Sequence, residues 1–518
     1  MEHRTLFTVL TLTPLTLPAD TVNVPYNQAI TASGGTGAVT LTVSNLTPAN
    51  GIQGLVPPAS GTGSLVIGGT PTATGTETFT VTAADSETPP VTVSANYSIT
   101  VNPLAFISPA ASVSDLIGDI LWFNQNPGAG SNTITLAANP NNGATSPDPS
   151  IFPNYPLTVA NNSSPYGPTG LPVIAAGDDL TIVGNGATIQ PTGADCRLFA
   201  VATGASLTLE KLTLEGGGAY GSSDPGVAAA AEGGAIYIDS GSTLTLGDVT
   251  AQNNAAYGSQ AGLNVAGGGI YSNGGSILLQ SGTVIRNNTA EGNGSGTDVT
   301  AMGGGICANG GSVIATNGLV LSDNEAAGSS GSLDAGSTGG NAWGGGLCAV
   351  NNAYVNLTGT PNNPLTIQGN KALAGGGRSA STTSSPGLGG NGCGGGLYVS
   401  GGTLVLSGGT ITGNVAQGGS GGSGLNVVKG SGGQGGQGGN GCGGGLYVAA
   451  GATVTLSGDS FTSNQARGGF GGWGGTVATG NGGTGGQGGN GCGGGLYVAA
   501  GATDALSGNS FTSNRAIG

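Results

Sequence analysis

The feature that most constrains this sequence is a unit that recurs along its C-terminal two-thirds with a period of roughly 35 residues or more. Each unit has a glycine pair or triplet, then Ile or Leu with an aromatic residue or Cys, an alternating strand and a turn containing Asn. The turn asparagines are Asn253, Asn288, Asn324, Asn370, Asn414, Asn464 and Asn514. The residues that follow the glycines are Tyr237, Tyr271, Cys307, Cys348, Tyr398, Tyr447 and Tyr497. Two independent markers with one period indicate a solenoid of stacked coils.

Apolar residues alternate within the short strands of each unit. Leu446 and Val448 share one parity, and Tyr447 between them takes the other. Val454 and Leu456 repeat this pattern in the next strand. Because a single coil cannot bury such a face alone, successive coils must stack as parallel strands about 4.8 Å apart. We therefore predict an all-β protein with a right-handed parallel β-helix.

The turn asparagines have a structural explanation in such a stack. Short amide side chains tolerate the left-handed backbone conformation and can hydrogen-bond the same side chain in the next coil. We predict that the asparagines named above, from Asn253 to Asn514, form a ladder along the solenoid. The glycine triplets, such as residues 443–445, would allow a tight entry into each strand where any Cβ would crowd the coil above.

The N-terminal third has a different pattern. Residues 13–103 alternate apolar positions with Thr or Ser between Pro and Gly turns, which predicts an immunoglobulin-like β-sandwich without disulfides. Residues 104–200 predict a cap and entry coils, because Leu116, Ile117 and Ile120 have helical spacing suited to covering an open solenoid end. Residues 201–518 then form the β-helix. We interpret residues 1–19 as leading into a first strand and not as an export signal.

The end of the repeat region breaks the apolar pattern. Asp504 replaces the inward Val454 of the preceding coil. A carboxylate that points into an apolar core is costly. We therefore expect the last coil to be poorly ordered, or the protein to continue beyond it.

Composition excludes several classes of partner. The chain has 518 residues with 110 glycines, and 9 basic against 24 acidic residues leave a formal charge of -15. Since no basic cluster is present, nucleic acid is not an expected partner. No run of about 18 apolar residues occurs, so we predict no transmembrane helix.

Catalytic patterns are weak. Enzymes on β-helix folds need clustered carboxylates, whereas here single aspartates such as Asp239 and Asp248 are scattered over the coils. The pair Asp178 and Asp179 precedes the entry strand, where a turn is expected. His3 is the single histidine and precedes every predicted element, which argues against a catalytic triad or a histidine-ligated metal. We expect no catalytic residue, no cofactor and no metal site.

The cysteines follow the repeat. Cys393, Cys442 and Cys492 each precede a glycine triplet, and we predict that they stack with the parity of the inward Leu. Cys307 and Cys348 point outward on adjacent coils and form the candidate disulfide. Buried thiols, a disulfide between neighbours and a bound metal all remain open, although one sulfur per coil is a poor arrangement for zinc.

Glycine-rich insertions lie between each Asn turn and the next glycine triplet, so they all leave the solenoid at one corner. Segments 418–441 and 468–491 have little apolar content to pack. Disordered loops are one interpretation. The other is that G-G-x loops of successive coils pack together as extended rods of the polyproline II type and form a flange that faces a ligand.

Several segments resemble known families. Residues 233–236 (Gly-Gly-Ala-Ile) and the turns 461–464 and 511–514 (Phe-Thr-Ser-Asn) resemble the repeats of the polymorphic outer membrane protein family. Residues 179–189 are similar to the entry coil of autotransporter-like β-helix proteins, and residues 13–103 resemble the immunoglobulin-like modules of bacterial surface proteins. The resemblance implies a secreted, pectin-lyase-like β-helix used in display or adhesion. Several coils depart from it by carrying Gly-Gly-Gly where the family has Gly-Gly-Ala.

These observations favour a non-catalytic bacterial cell-surface or secreted protein that serves as an adhesin-like stalk or display scaffold, associated with the outer membrane. A carbohydrate-active enzyme, either a polysaccharide lyase or a hydrolase, is the alternative. A purely structural envelope element is a further one. Surface glycans or proteins are the expected partners, and we expect recognition at the corner that carries the loops, where the coils differ most.

Overall fold

A computed structural model describes most of the chain. The described residues are 9–22, 24–102, 106, 108–126, 132–137, 154–162, 165–221, 231–258, 263–292, 298–331, 336–381 and 385–518. His3 lies outside them. The chain divides into two compact units, Met1–Ile107 and Ser108–Gly518.

The first unit consists of two sheets that share one apolar core. The smaller sheet is antiparallel and contains Thr11–Thr13, Tyr26–Ser33 and Ser64–Gly69. The larger sheet contains Asp20–Thr21, Thr40–Thr47, Ser60–Thr62, Gly75–Ala84 and Thr92–Asn102. Ile30, Leu41, Val81 and Ile99 from both sheets are fully buried in the shared core. The strand that begins at Thr11 falls in the segment that we interpreted as leading into a first strand.

A helix, Val113–Gln125, begins the second unit, as its spacing predicted. Ser112 caps it by accepting a hydrogen bond from the Asp115 backbone N–H at 3.1 Å. Leu116, Ile120 and Phe123 are buried in the core of the solenoid. The helix therefore covers apolar surface of the entry coils that no further coil covers on that side.

The second unit is a parallel β-helix, built from four parallel sheets that follow one another in every coil. The long sheet contains Thr133–Thr135, Asn154–Leu157, Asp179–Pro191, Ser206–Glu215, Thr243–Gln252, Ser276–Leu279, Val284–Arg286, Ser312–Ala315, Leu319–Ser322, Tyr354–Thr358, Leu365–Gln368, Thr403–Ser407, Gly409–Thr412, Thr453–Ser457, Ser460–Thr462, Thr503–Ser507 and Ser510–Thr512. The alanine sheet contains Gly218–Tyr220, Ala255–Gly258, Thr289–Gly292, Glu325–Ala327, Lys371–Leu373, Val415–Gln417, Gln465–Arg467 and Arg515–Ile517.

The other two sheets lie on either side of the glycine triplets. The entry sheet precedes them and contains Ala231–Glu232, Val265–Ala266, Ala301–Met302, Ala342–Trp343, Gly392–Cys393, Gly441–Cys442 and Gly491–Cys492. The aromatic sheet follows them and contains Phe199–Val201, Ile236–Ile238, Ile270–Ser272, Ile306–Asn309, Leu347–Val350, Leu397–Val399, Leu446–Val448 and Leu496–Val498. One further parallel pair joins Val427–Ser431 to Val477–Asn481, outside the coils.

Equivalent residues of successive coils are register partners, which produces one continuous core. Leu397 pairs with Leu446, and Leu446 with Leu496. Leu446, Val454 and Phe461 have no exposed surface, as the parity of the repeat predicted. Each such side chain contributes roughly 1.5 to 3 kcal/mol through burial. The stack therefore supplies the core that no single coil could form.

The last coil is regular, contrary to our expectation of poor order. Thr503–Ser507 pairs with the preceding strand, and Asp504 is the register partner of Val454. Asp504 is exposed. The carboxylate therefore avoids the cost of burial that led us to expect disorder.

The turn asparagines form an amide ladder, with one difference from the sequence prediction. From Asn254 onward, each side-chain Nδ2 donates to the Oδ1 of the next member at 2.9 to 3.0 Å, and its backbone N–H donates to the same oxygen at 3.0 to 3.1 Å. The members are Asn254, Asn288, Asn324, Asn370, Asn414, Asn464 and Asn514. Asn253 is not one of them.

Asn253 takes the left-handed position of its turn, with φ 56°, and its Nδ2 donates to Glu215 on the surface. Asn287, Asp323 and Gly369 take the same position in the following coils, each one residue before a ladder member. Two consecutive asparagines stand at the first turn, so the sequence pattern alone did not separate them.

The ladder predicts a large difference between adjacent asparagines. Asn254→Ala removes an Oδ1 that accepts from the buried Gly217 N–H, and an Nδ2 that donates to the Leu214 carbonyl and to Asn288 Oδ1. Since each unpaired buried polar group costs about 1 to 3 kcal/mol, we expect a destabilisation of about 3 kcal/mol in urea unfolding. Asn253→Gly, at an exposed left-handed position, should change stability by less than about 0.5 kcal/mol. Equal losses in the two variants would contradict the ladder assignment.

Candidate functional site

Glycine-rich segments leave the solenoid after the alanine sheet and return at the entry sheet, forming a flange of two layers. The outgoing layer contains residues 328–331, 374–380, 418–425 and 468–475. The return layer contains residues 336–341, 387–391, 432–440 and 482–490. The last two coils carry the longest segments, and the strands Val427–Ser431 and Val477–Asn481 pair at their tips.

The flange segments are extended rods with a three-residue period. In the rod 468–475, the second glycine of each triplet, Gly469, Gly472 and Gly475, is buried, whereas the third residue of each triplet is exposed. None of these rod glycines has a positive φ. Three residues per turn without internal hydrogen bonds is the geometry of polyproline II. The structure therefore has packed rods here, and the interpretation as disordered loops is wrong.

Hydrogen bonds hold the layers together in continuous chains. The N–H of each second glycine donates across to the carbonyl of a rod in the other layer, at 2.8 to 2.9 Å in the two long coils. One such chain runs in order through Val299, Ser329, Gly340, Gly375, Gly390, Gly419, Gly439, Gly469 and Gly489. The N–H of each first glycine donates within its layer, as Gly421 does to Phe470 and Gly438 to Gln487. Most backbone groups that face a neighbouring rod are thereby paired.

Most second positions require glycine because the neighbouring backbone lies too close for a Cβ, although Ser329, Arg378 and Leu425 occupy this position in earlier coils. A Cβ on Gly469 would lie 1.9 Å from the Gly419 carbonyl oxygen, and one on Gly486 would lie 1.8 Å from that of Gly436. The first position of the last return rod differs, because a Cβ on Gly485 would lie 3.5 Å from the nearest atom, the Gly472 oxygen. The repeated G-G-x pattern is thus a packing requirement.

This difference provides a matched pair of variants. Gly486→Ala forces the rods 482–490 and 432–440 apart, because the methyl group would overlap a backbone oxygen that cannot move aside. Gly485→Ala adds the same group one residue away at ordinary contact distance. We expect thermolysin to cleave the flange of the first variant much faster than that of the wild type, and to cleave the second at the wild-type rate. Equally fast cleavage of both would show that the rods are not packed.

A groove runs at the foot of the flange, along the aromatic and entry sheets. Two adjoining hollows of about 650 and 420 Å³ share Trp343 and Tyr398. Trp343, Tyr398, Tyr447 and Tyr497 stack in that order with ring centroids 5.2 to 5.3 Å apart. Because the rings cover one another's faces, they present edges and hydroxyl groups to the groove.

A second amide row lines this groove, and the sequence analysis missed it. Asn341, Asn391, Asn440 and Asn490 end the return rods, and each side-chain oxygen accepts the backbone N–H of the next member at 2.8 Å. The row is exposed at its later members, unlike the buried ladder. The row could have been predicted from the sequence, because each of these asparagines stands at the same place in its repeat, two residues before the last residue of an entry-sheet strand.

The predicted thiol stack forms, but not on the predicted side. Cys393, Cys442 and Cys492 are register partners, and they pack with Tyr398 and Trp343 outside the Leu core. The parity prediction was wrong because the glycine that follows each cysteine has a positive φ, 69° at Gly394, which reverses the side-chain alternation between the entry and aromatic sheets. Burial raises the pKa of Cys393 to about 12.

Cys307 and Cys348 are register partners as well, and in the structure both are free thiols. Both point away from the Leu core, as predicted, but they pack in the cluster that contains Tyr271 and Tyr398 and have no exposed surface. A hydrogen bond with Cys348 and burial raise the pKa of Cys307. Since parallel register partners lie about 4.8 Å apart, a disulfide between the two stays geometrically accessible.

The burial of the thiols predicts their order of reaction. In the folded protein at pH 8, a maleimide should modify Cys492 first, because it is the most exposed of the described cysteines. Cys307 and Cys348 should react only after unfolding, since the thiolate is the reactive form and both sulfurs are buried. Peptide mass spectrometry of the labelled protein measures the order. Equal labelling of all sites in the folded state would contradict the packing.

Glu232 lines the larger hollow of the groove, and Asp239 directly follows the next strand, Ile236–Ile238. Burial raises the pKa of Glu232, against the opposing effects of Tyr271 and Arg197. Burial would also raise the pKa of Asp239, but hydrogen bonds from Ser240, Thr203, Asn273 and Tyr166 lower it overall. Of the two, Glu232 lines the larger hollow, and a carboxyl group with a raised pKa is suited to act as a general acid.

The surroundings of both groups also have a structural explanation. The four donors to Asp239 join the turns of consecutive coils, and Arg197, buried at 3% exposure, donates to the backbone carbonyls of Glu232, Gly233 and Tyr166. Asp178 ends the turn before the entry strand, where its N–H donates to the Ala175 carbonyl at 3.1 Å, whereas Asp179 is the first residue of the strand and not part of the turn as expected. Among the described residues, no group of three or more His, Cys, Asp or Glu side chains could hold a metal ion.

Comparison of the chain with protein-family models and with curated proteins found no match. In the part of the chain that the structure describes, no helix has the length and apolar character needed to cross a membrane.

Proposed function

We propose that this protein is a non-catalytic bacterial cell-surface or secreted β-helix protein, an adhesin-like scaffold that displays the flange to surface glycans or proteins. The proposal extends the resemblance to polymorphic outer membrane and autotransporter-like proteins, and places the chain outside the cell at the outer membrane. Its N-terminal unit would act as an immunoglobulin-like spacer.

The flange is the observation that carries this proposal. The β-helix buries its core without it, since Leu446, Val454 and Phe461 all lie within the coils. The glycine-rich insertions nevertheless lengthen from residues 328–341 in one coil to residues 468–490 in the last. In the rod 468–475 the third positions, Phe470 and Trp473, face solvent. A rigid surface that projects from a scaffold, with freely variable outward positions, is suited to recognition.

Binding without turnover is the expected result for the whole chain. The purified protein would be applied to an array of neutral and acidic bacterial and plant glycans, and the same glycans would be incubated with it and analysed for shortened products. We expect retention on some glycans and no product. Gly486→Ala should reduce retention and Gly485→Ala should not, because only the first variant opens the flange.

The position of Glu232 in the wall of the larger hollow, together with its raised pKa, favours the runner-up, a polysaccharide lyase or hydrolase acting in the groove. If the wild type produced shortened glycans and the Glu232→Gln variant did not, the protein would be such an enzyme. That result would overturn the proposed function. If the protein neither bound nor cleaved any member of glycan and protein arrays, a purely structural envelope element would be favoured.

A further inference from the structure

Two aromatic side chains on the flange have no role in its packing. Phe470 and Trp473 occupy the third positions of successive triplets in the rod 468–475 and are 82% and 83% exposed. Neither ring stacks on another aromatic ring of the described chain. The equivalent positions of the preceding coil are Ser420 and Ser423, so the rod can form without aromatic residues.

The rod holds both rings on one side at a fixed spacing. Residues three apart on a polyproline II rod face the same way, and the two Cα atoms are about 9 Å apart at 3.1 Å per residue. Gly421 donates to the Phe470 carbonyl at 2.8 Å and Gly424 to that of Trp473 at 2.7 Å. Hydrogen bonds to both layers thus fix the backbone beneath the rings.

Hydroxyl groups lie beside the rings in the neighbouring rod. The same hydrogen bonds bring Ser420 next to Phe470 and Ser423 next to Trp473, one rod spacing away. The rod segment 468–491 contains no charged residue. The surface therefore combines two exposed ring faces with small polar groups, and the nearest charge along the rod is Arg467 at its start.

We propose that Phe470 and Trp473 form a platform for a neutral, linear polysaccharide that lies along the rod. The apolar face of a sugar ring stacks on an aromatic face, and its equatorial hydroxyl groups can reach Ser420 and Ser423. Arg467, three residues before Phe470, is the nearest cation in the same row of the rod, and its Nε donates to Gln465 Oε1 at 3.0 Å. A polyanion is disfavoured because the chain has a net charge of -15 and this guanidinium already has an acceptor. A basic peptide would find no carboxylate there. This inference rests on the proposed function and names its ligand class.

The test replaces both rings with the residues of the preceding coil, Phe470→Ser together with Trp473→Ser, so that the rod is retained. The control, Gln437→Ser together with Gln487→Ser, alters exposed third positions of the return layer. Affinity electrophoresis of the full chain would use hydroxyethylcellulose, glucomannan and xylan as neutral probes and polygalacturonate as the acidic one. Thermal unfolding of each variant verifies that the fold is unchanged.

We expect the wild type and the control to bind at least one neutral polysaccharide, and the ring variant to bind it at least about tenfold more weakly. Unchanged affinity of the ring variant would overturn the platform and leave the proposed function standing. Wild-type binding to polygalacturonate alone, or to proteins alone, would also overturn the platform and leave the proposed function standing. Cleavage of the probes would overturn both.

Discussion

Every repeated interaction in this protein depends on one constraint, the stacking of equivalent residues at a single strand spacing. Parallel register holds Leu over Leu, Asn over Asn and Cys over Cys through successive coils. Each class of residue then forms its own line: an apolar core, a buried amide ladder, a stacked aromatic row and a row of thiols. None of these lines exists in an isolated coil, so stability is a property of the stack.

The flange extends this register beyond the sheets, with glycine in place of side-chain packing. Rods that leave each coil at the same point arrive one spacing apart, and two glycines in three allow their backbones to hydrogen-bond as strands do. The third residue of a triplet can vary along the rods, as the exchange of Ser420 for Phe470 between adjacent coils illustrates, whereas the third residues that end the return rods form the second amide row. Structure and recognition are thereby assigned to different positions of the same short repeat.

Much of the fold could be predicted from the sequence, because the repeated glycines, aromatic residues and turn asparagines give the length of each coil. The alternation of Leu446, Tyr447 and Val448 was sufficient for the core, and helical spacing for the cap at Leu116. The predictions that were wrong depend on backbone conformation. Asn253 was chosen over Asn254, and the thiol at Cys393 was given the wrong side, because a left-handed residue interrupts the pattern at each place. Contacts between rods involve residues from different coils, so a single repeat does not reveal them.

The central claim is that the flange is an ordered part of the molecule, and amide hydrogen exchange tests it most directly. Backbone amides of Gly419, Gly439, Gly469 and Gly472, which donate between the layers, should exchange as slowly as those of the alanine sheet. Amides of the exposed third positions provide the internal reference. Fast exchange throughout residues 418–441 and 468–491, alongside protected coils, would contradict the account and reduce the flange to a set of loops.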